Sequence, residues 1–155
     1  MIPRAPKFLA AILLAPIFLA LIARHSDSLD QFLRDNLGTH AGRLMVTYTT
    51  IIFCFMAGAL WGFAARSTDG KFRPYVLSLL PAFYMLSAYS IGGGYRLLVL
   101  SIGFLLLLAL DIYFKRLNLA PHWWLRFKLP FTAITVTCLI IFQFITFIHA
   151  TLALS

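Results

Sequence analysis

The sequence predicts an all-α membrane protein, a bundle of five transmembrane helices with short interfacial helices. Hydrophobic residues make up 61% of the 155 residues and charged residues only 12%, whereas about 25% of an ordinary soluble domain is charged. Mean hydropathy is +0.89, and a soluble domain of this size cannot hide so much apolar surface from water. A cytosolic enzyme, a disordered tail and a secreted disulfide scaffold are thereby excluded, and residues 1–155 form a single integral membrane domain.

The first predicted span covers residues 8–23, after a short basic start. A signal peptide has a similar pattern, but Leu21 stands where cleavage requires a small residue, so an uncleaved helix is favoured. Pro16 lies inside the run, and neighbouring helices can satisfy the carbonyl that it frees. Beyond it, apolar residues recur at helical spacing among charged ones. This pattern predicts an amphipathic surface segment over about 28–37, capped by Ser28 and ended by Gly38.

Four further spans follow, each apolar and about long enough to cross a bilayer of ~30 Å hydrocarbon thickness. A glycine triplet beginning at Gly92 predicts a tight turn between two of them. Between the last two spans, residues 121–128 predict an interfacial segment in which Trp123 and Trp124 are interfacial anchors. The four predicted spans are residues 44–65, 75–91, 97–114 and 129–154.

The distribution of basic residues predicts the orientation. With five spans, the side that holds the N-terminus carries nine of the 13 Lys and Arg residues, and the other side carries four. Basic residues remain in cytoplasmic loops, so we expect a multi-pass membrane protein whose N-terminus is cytoplasmic and whose C-terminus lies on the opposite side of the membrane. The net charge of +8 is then explained by basic loops that face the anionic lipid bilayer. No nucleic acid is expected as a partner.

Three blocks of the chain, in this order and spacing, resemble a known family. They are Tyr48–Gly62, Tyr75–Pro81, and Asp111 followed by Pro121–Thr132. Together they are similar to an uncharacterised family of small multi-span membrane proteins, found in proteobacteria and as a mitochondrial transmembrane protein of animals. The resemblance covers roughly 44–141 and implies a membrane fold without an established activity.

The chain departs from the pattern of that family at two positions. Members usually have His before the Trp-Gly pair, where this chain has Leu60, and they tend to have Arg where it has Lys128. If that His carries chemistry in the family, this chain has lost it.

Small residues recur every fourth position in the second span, at Cys54, Gly58 and Gly62. They lie on one helical face, and small side chains let two helices approach closely in lipid. The face serves either a partner protein or packing against other helices of this chain. Trp61, beside it, either lines a pocket for a quinone, tetrapyrrole or lipid or anchors the span at the interface.

Asp111 is the acidic residue inside a predicted span, close to its cytoplasmic end. An unpaired carboxylate there is costly, so we expect an ion pair. Arg126 is the predicted partner because of its planar two-pronged guanidinium, and Lys115, one helical turn away, is the alternative. A proton-relay role for the carboxylate is the rival interpretation.

Other polar residues give weaker signals. The histidines His25, His40 and His149 fall on the predicted outer side but show no paired spacing, so no metal is expected. Gln143, Thr146 and His149 follow one helical stripe, which either lines a path or lies near the interface. No catalytic constellation and no cofactor motif is recognised.

The expected function is therefore that of a non-enzymatic accessory or assembly factor packing against a larger membrane complex. Analogy with the mitochondrial relative favours a respiratory complex as the partner. The alternative is a binder of a small hydrophobic ligand such as a quinone, tetrapyrrole or lipid.

Overall fold

A computed structural model describes residues 4–67, 72–90 and 94–152 of the chain. These residues form six α-helices and no strand. The helices are α1 (Arg4–Ala23), α2 (Asp27–Leu37), α3 (Ala41–Ala64), α4 (Phe72–Ser90), α5 (Arg96–Arg116) and α6 (Trp124–Leu152). The predicted turn at Gly92 and Gly93 and the predicted end of the last span lie outside the described residues.

Three of the helices, α3, α5 and α6, are long and apolar enough to cross a membrane. The apolar part of α1, Phe8–Ala23, is shorter. The predicted all-helical class is confirmed for the described residues, and three helices that could span a membrane agree with the membrane character predicted from composition. The predicted count of five spans goes further, because it also needs α1 and α4 to cross.

The helices pack around α3, which contacts α1, α4 and α5, while α6 packs against α5 and α1. Phe53 and Met56 of α3, Phe104 of α5 and Leu139 of α6 are all buried in the shared core. Lipid tails are as apolar as these side chains, so van der Waals packing rather than exclusion of water holds such helices together.

The short helix α2 is amphipathic, as predicted, and buries Leu33. It begins at Asp27, so Ser26 is the N-cap residue and Ser28, the expected cap, lies inside the helix. Gly38 ends it in the left-handed region with φ of 59°, a conformation that glycine adopts without steric cost. Thr39 N–H then donates to Leu33 O at 3.3 Å, which closes the helix end.

Asp30 fastens α2 to the start of α3. Its Oδ1 accepts from the backbone N–H of Ala41 at 2.7 Å, and its Oδ2 accepts from Arg34 Nε at 3.0 Å. The Ala41 hydrogen bond, followed by the one from Arg34, holds the pKa of Asp30 below its usual 3.8. One carboxylate therefore satisfies an N–H of the first turn of α3, which has no partner within its own helix.

Asp30→Ala is expected to lower the free energy of unfolding by about 1–3 kcal/mol, since three hydrogen bonds to a charged group are lost. The lowered pKa means that this contribution is complete at neutral pH and disappears as pH falls below 3.8 toward the folded-state pKa. Denaturant titrations of both proteins from pH 7 to pH 3 measure the difference. A difference that persists unchanged at pH 3 would contradict the assigned role.

Candidate functional site

A charged cluster lies buried between α5 and α6. The side chains of Asp111 and Lys128 are both fully buried, and Lys128 Nζ lies 3.4 Å from Asp111 Oδ2. Trp124 Nε1 donates to Asp111 Oδ1 at 2.7 Å. Lys128 Nζ also lies 5.5 Å from the centroid of the Trp124 ring, within reach of a cation–π attraction.

The geometry follows from the two helices. Trp124 and Lys128 are one turn apart at the start of α6 and share a face. That face meets Asp111 near the end of α5, so the two α6 side chains contact the two carboxylate oxygens separately. Within the cluster the two opposite charges neutralise each other inside an apolar bundle, where either ion alone would be strongly unfavourable.

The expected ion pair of Asp111 thus exists with a different cation. Arg126 and Lys115 are exposed, and the salt bridge of Asp111 in the described part of the chain is to Lys128. The predicted interfacial segment 121–128 is also divided, because α6 already begins at Trp124. Trp124 is consequently a hydrogen-bonding member of the cluster as well as an aromatic residue near a helix end, while Trp123 packs edge-on against it with ring centroids 5.9 Å apart.

The polar face of α6 continues beyond the ion pair. Thr132 and Thr135 are buried, and neither hydroxyl has a hydrogen-bond partner among the described residues. Together with Lys128 they form a polar line along the buried side of an otherwise apolar helix. Ionisable residues such as Lys128 are rare inside membrane segments and are associated with function, whereas threonines are common where membrane helices pack together.

An apolar groove of about 970 Å³ opens between α4 and α5, with Phe53 of α3 at its back. Its size is at the upper end of the roughly 300–1,000 Å³ range of ligand sites. Because α4 and α5 are antiparallel neighbours, Arg73 and Tyr113 lie at one end of the groove and Tyr84 and Gly103 at the other. The lining is apolar except at these ends: Phe72, Val76, Leu77, Leu80, Pro81, Leu106, Leu107, Ala109 and Leu110 complete it.

Close packing of Tyr84 on Gly103 forms the far end of the groove. A Cβ at Gly103 would lie 2.6 Å from Tyr84 Cε1 and 3.1 Å from Phe53 Cε2. The Tyr84 ring is fixed because its hydroxyl donates to Val99 O at 2.6 Å. Gly103 is therefore where α4 and α5 require a residue without a side chain.

The predicted small-residue face of α3 has a different environment. Cys54, Gly58 and Gly62 are all exposed, and a Cβ at Gly58 or Gly62 would meet no atom within 4 Å. Within the described part of the chain, no other helix packs closely against this face, so the interpretation that it packs against helices of this chain is wrong. Trp61, next to it, is half-exposed and packs edge-on against Tyr75 with ring centroids 5.3 Å apart, and it does not line the α4–α5 groove.

No three His, Cys, Asp or Glu side chains of the described residues are grouped so that they could hold a metal ion. His40 has a local role at the N-cap of α3, where its Nδ1 accepts from the backbone N–H of Arg43 at 3.3 Å. His25 and His149 are exposed.

Sequence reasoning did not identify Lys128, Gly103 or Tyr84 as important. For Lys128 a signal existed: Trp124, Lys128, Thr132 and Thr135 recur at helical spacing and predict one polar face if a single helix covers them. For Gly103 no signal existed, because it stands alone in an apolar run.

Fold and site together define a helical membrane protein with a buried ion pair and a lateral apolar groove. The chain belongs to a family described as "protein of unknown function (DUF3429)", whose sequence model matches residues 2–144. The predicted membership in an uncharacterised family is confirmed, and the match begins well before residue 44. Comparisons with curated proteins and with solved structures gave no match.

Proposed function

We propose that this protein is a non-enzymatic, five-span integral membrane protein that binds an amphipathic lipid in the groove between α4 and α5. The observation that carries the proposal is the groove itself, about 970 Å³ in volume and apolar along its length, with a cation at one end. This favours the hydrophobic-ligand alternative of the sequence analysis over a purely structural role.

The length of the groove along α4 supports a lipid as its occupant. Arg73 and Tyr84 are 11 residues apart on α4, which corresponds to about 16 Å at 1.5 Å per residue. That is close to half of the ~30 Å hydrocarbon core of a bilayer. One lipid tail of a single leaflet therefore matches the groove from the interface to the bilayer centre.

The charge at the mouth supports an anionic head group. Arg73 lines the groove at the start of α4, and Tyr113 lies at the same end on α5. A guanidinium binds a phosphate or carboxylate with two parallel hydrogen bonds, and a phenol hydroxyl can donate a further one. Leu77 and Leu110 are placed to contact the tail.

Leu106→Trp is expected to reduce the amount of co-purified lipid at least tenfold, about 1.4 kcal/mol in affinity, because the indole fills the groove. The measurement is mass spectrometry of lipid extracted from protein purified in mild detergent. Leu105→Trp is the matched control: Leu105 and Leu106 are 52% and 51% exposed, and Leu105 does not line the groove. Equal lipid retention by the two variants would contradict the proposal.

Arg73→Gln tests the choice of head group separately. We expect it to remove the preference for anionic over zwitterionic lipid while leaving tail binding in place, and Arg126→Gln, at an exposed arginine, should leave the preference unchanged.

The proposed location is a bacterial inner membrane, with the N-terminus in the cytoplasm and the C-terminus in the periplasm. The nine-to-four division of Lys and Arg residues supports this orientation. Reporter fusions after Gly70 and after Ser155 are expected to give cytoplasmic and periplasmic signals, respectively. A periplasmic signal at Gly70 would contradict the orientation.

A second candidate function is that of an accessory or assembly factor for a larger membrane complex, with a respiratory complex as the candidate partner. The open face of Cys54, Gly58 and Gly62 favours it, because small residues allow close approach of a partner helix. Under this proposal Gly58→Leu removes a co-purifying membrane subunit without changing the stability of the protein itself. Retention of that subunit by the variant would exclude this face as the contact.

A further inference from the structure

The closed end of the α4–α5 groove is built around the ring of Tyr84. Among the described residues, the lining of the groove on α4 ends at Tyr84, and its lining on the antiparallel α5 ends at Gly103. One turn further along each helix, Ala88 and Leu100 are buried and do not line the groove. The groove therefore stops at this level instead of continuing along the two helices.

The Tyr84 side chain crosses the space between α4 and α5. It belongs to α4, but its hydroxyl donates a hydrogen bond to Val99 O of α5 at 2.6 Å. Its Cε1 lies so close to α5 that a Cβ at Gly103 would be only 2.6 Å away. A ring that is attached to one helix and hydrogen-bonded to the other closes the groove across its width.

Packing holds the Tyr84 ring in this position. The ring of Phe53 lies behind it, with centroids 6.3 Å apart and planes tilted by 40°. Phe53 in turn packs edge-on against Phe104, with centroids 5.4 Å apart. Phe53 and Phe104 are both fully buried, so the close-packed core offers no space into which the Tyr84 ring could withdraw.

We infer that Tyr84 determines the length of the acyl tail that the groove accepts. The inference rests on the proposed function, in which Arg73 holds the anionic head group at the mouth of the groove. The two fixed ends are 11 residues apart on α4, which leaves about 16 Å for the tail. A tail of this length contacts the groove throughout, whereas a longer tail has to bend out into the bilayer before Tyr84 and loses packing contacts there.

Tyr84→Ala is the test variant, because it removes the ring that closes the groove. Ala88, the next residue on this face of α4, has only a methyl side chain, so the vacated space lengthens the groove by up to one helical turn, about 5 Å. Tyr84→Phe retains the ring. Leu80→Ala is the matched control for lost contact area: Leu80 lines the groove one turn nearer its mouth, so its truncation widens the groove without lengthening it.

The measurement is native mass spectrometry of the full chain in mixed micelles that contain equimolar phosphatidylglycerols with myristoyl, palmitoyl and stearoyl tails. The readout is the ratio of bound stearoyl lipid to bound myristoyl lipid, which does not depend on the total amount bound. We expect Tyr84→Ala to raise this ratio roughly threefold or more over wild type. Tyr84→Phe and Leu80→Ala are expected to leave the ratio unchanged.

The outcomes separate this inference from the proposed function. Phosphatidylglycerol binding by the wild type, with the same ratio of tails in Tyr84→Ala, would overturn the inference and leave the proposed function standing. Absence of bound lipid in the wild type would overturn both. An equal rise of the ratio in Leu80→Ala would also overturn the inference, because lost contact area would then explain the change.

A second substitution at the same position covers the case in which Tyr84→Ala fails to fold. Tyr84→Leu keeps apolar bulk on α4 but is too short to reach Val99 O of α5, so it is expected to raise the ratio in the same direction. A wild-type ratio in Tyr84→Leu would overturn the inference.

Discussion

Lys128→Met is expected to lower the free energy of unfolding by about 3–5 kcal/mol, the usual cost of leaving one member of a buried ion pair alone. Lys128 and Asp111 are both fully buried with 3.4 Å between Nζ and Oδ2. Without the ammonium, the carboxylate retains, among the described residues, only the hydrogen bond from Trp124. The measurement is unfolding in mixed micelles followed by circular dichroism.

The double variant Asp111→Asn, Lys128→Met shows whether Lys128→Met loses stability because a contact is missing or because the charge of Asp111 is left uncompensated. It should recover most of the stability, because an uncharged pair no longer has to be neutralised and the amide oxygen of Asn can still accept from Trp124. Lys115→Met is the control: its side chain is exposed, and the expected change is within about 0.5 kcal/mol. Equal effects of Lys128→Met and Lys115→Met would contradict a structural ion pair. A proton relay instead requires Asp111→Asn alone to leave stability unchanged.

Gly103→Ala is expected to destabilise the protein by about 1–3 kcal/mol, the range for overpacking a close contact. The added Cβ would lie 2.6 Å from Tyr84 Cε1. The Tyr84 ring cannot move away freely because its hydroxyl donates a hydrogen bond to Val99 O. α4 and α5 must separate to accept the methyl group. The same denaturation assay measures the effect.

Gly58→Ala is the matched control for Gly103→Ala. It makes the same change inside a helix, but the new Cβ would meet nothing within 4 Å. Alanine favours helix over glycine by up to about 1 kcal/mol, so the variant should equal or exceed wild-type stability. Equal destabilisation by both substitutions would show that close packing at Gly103 is not the cause.

The presence of an intramembrane ion pair could be predicted from the sequence, but its cation could not. Hydropathy identifies Asp111 as a carboxylate within an apolar run. The choice between Arg126 and Lys128 depends on where α6 begins. Because Trp124 is the first residue of α6, Lys128 follows it by one turn and lies on the same face. Arg126 is two residues after Trp124 and therefore points about 200° away from it around the helix.

The helix contacts were less predictable for a physical reason. In a soluble helix apolar residues mark the buried face, but in a membrane both the interior and the lipid favour apolar side chains. The pattern at Cys54, Gly58 and Gly62 therefore could not show which direction it faces, and the isolated Gly103 gave no sign of its contact with Tyr84. The groove depends on these orientations and was not predictable.

We propose above that a lipid tail occupies the groove between α4 and α5. The most direct test of this proposal is crosslinking with a phospholipid that carries a photoreactive group in its tail, followed by mass spectrometric mapping of the adducts. We predict adducts concentrated on groove residues such as Leu77, Leu106 and Leu110. Adducts distributed equally over exposed apolar residues outside the groove, such as Phe144 and Phe147, would contradict the claim.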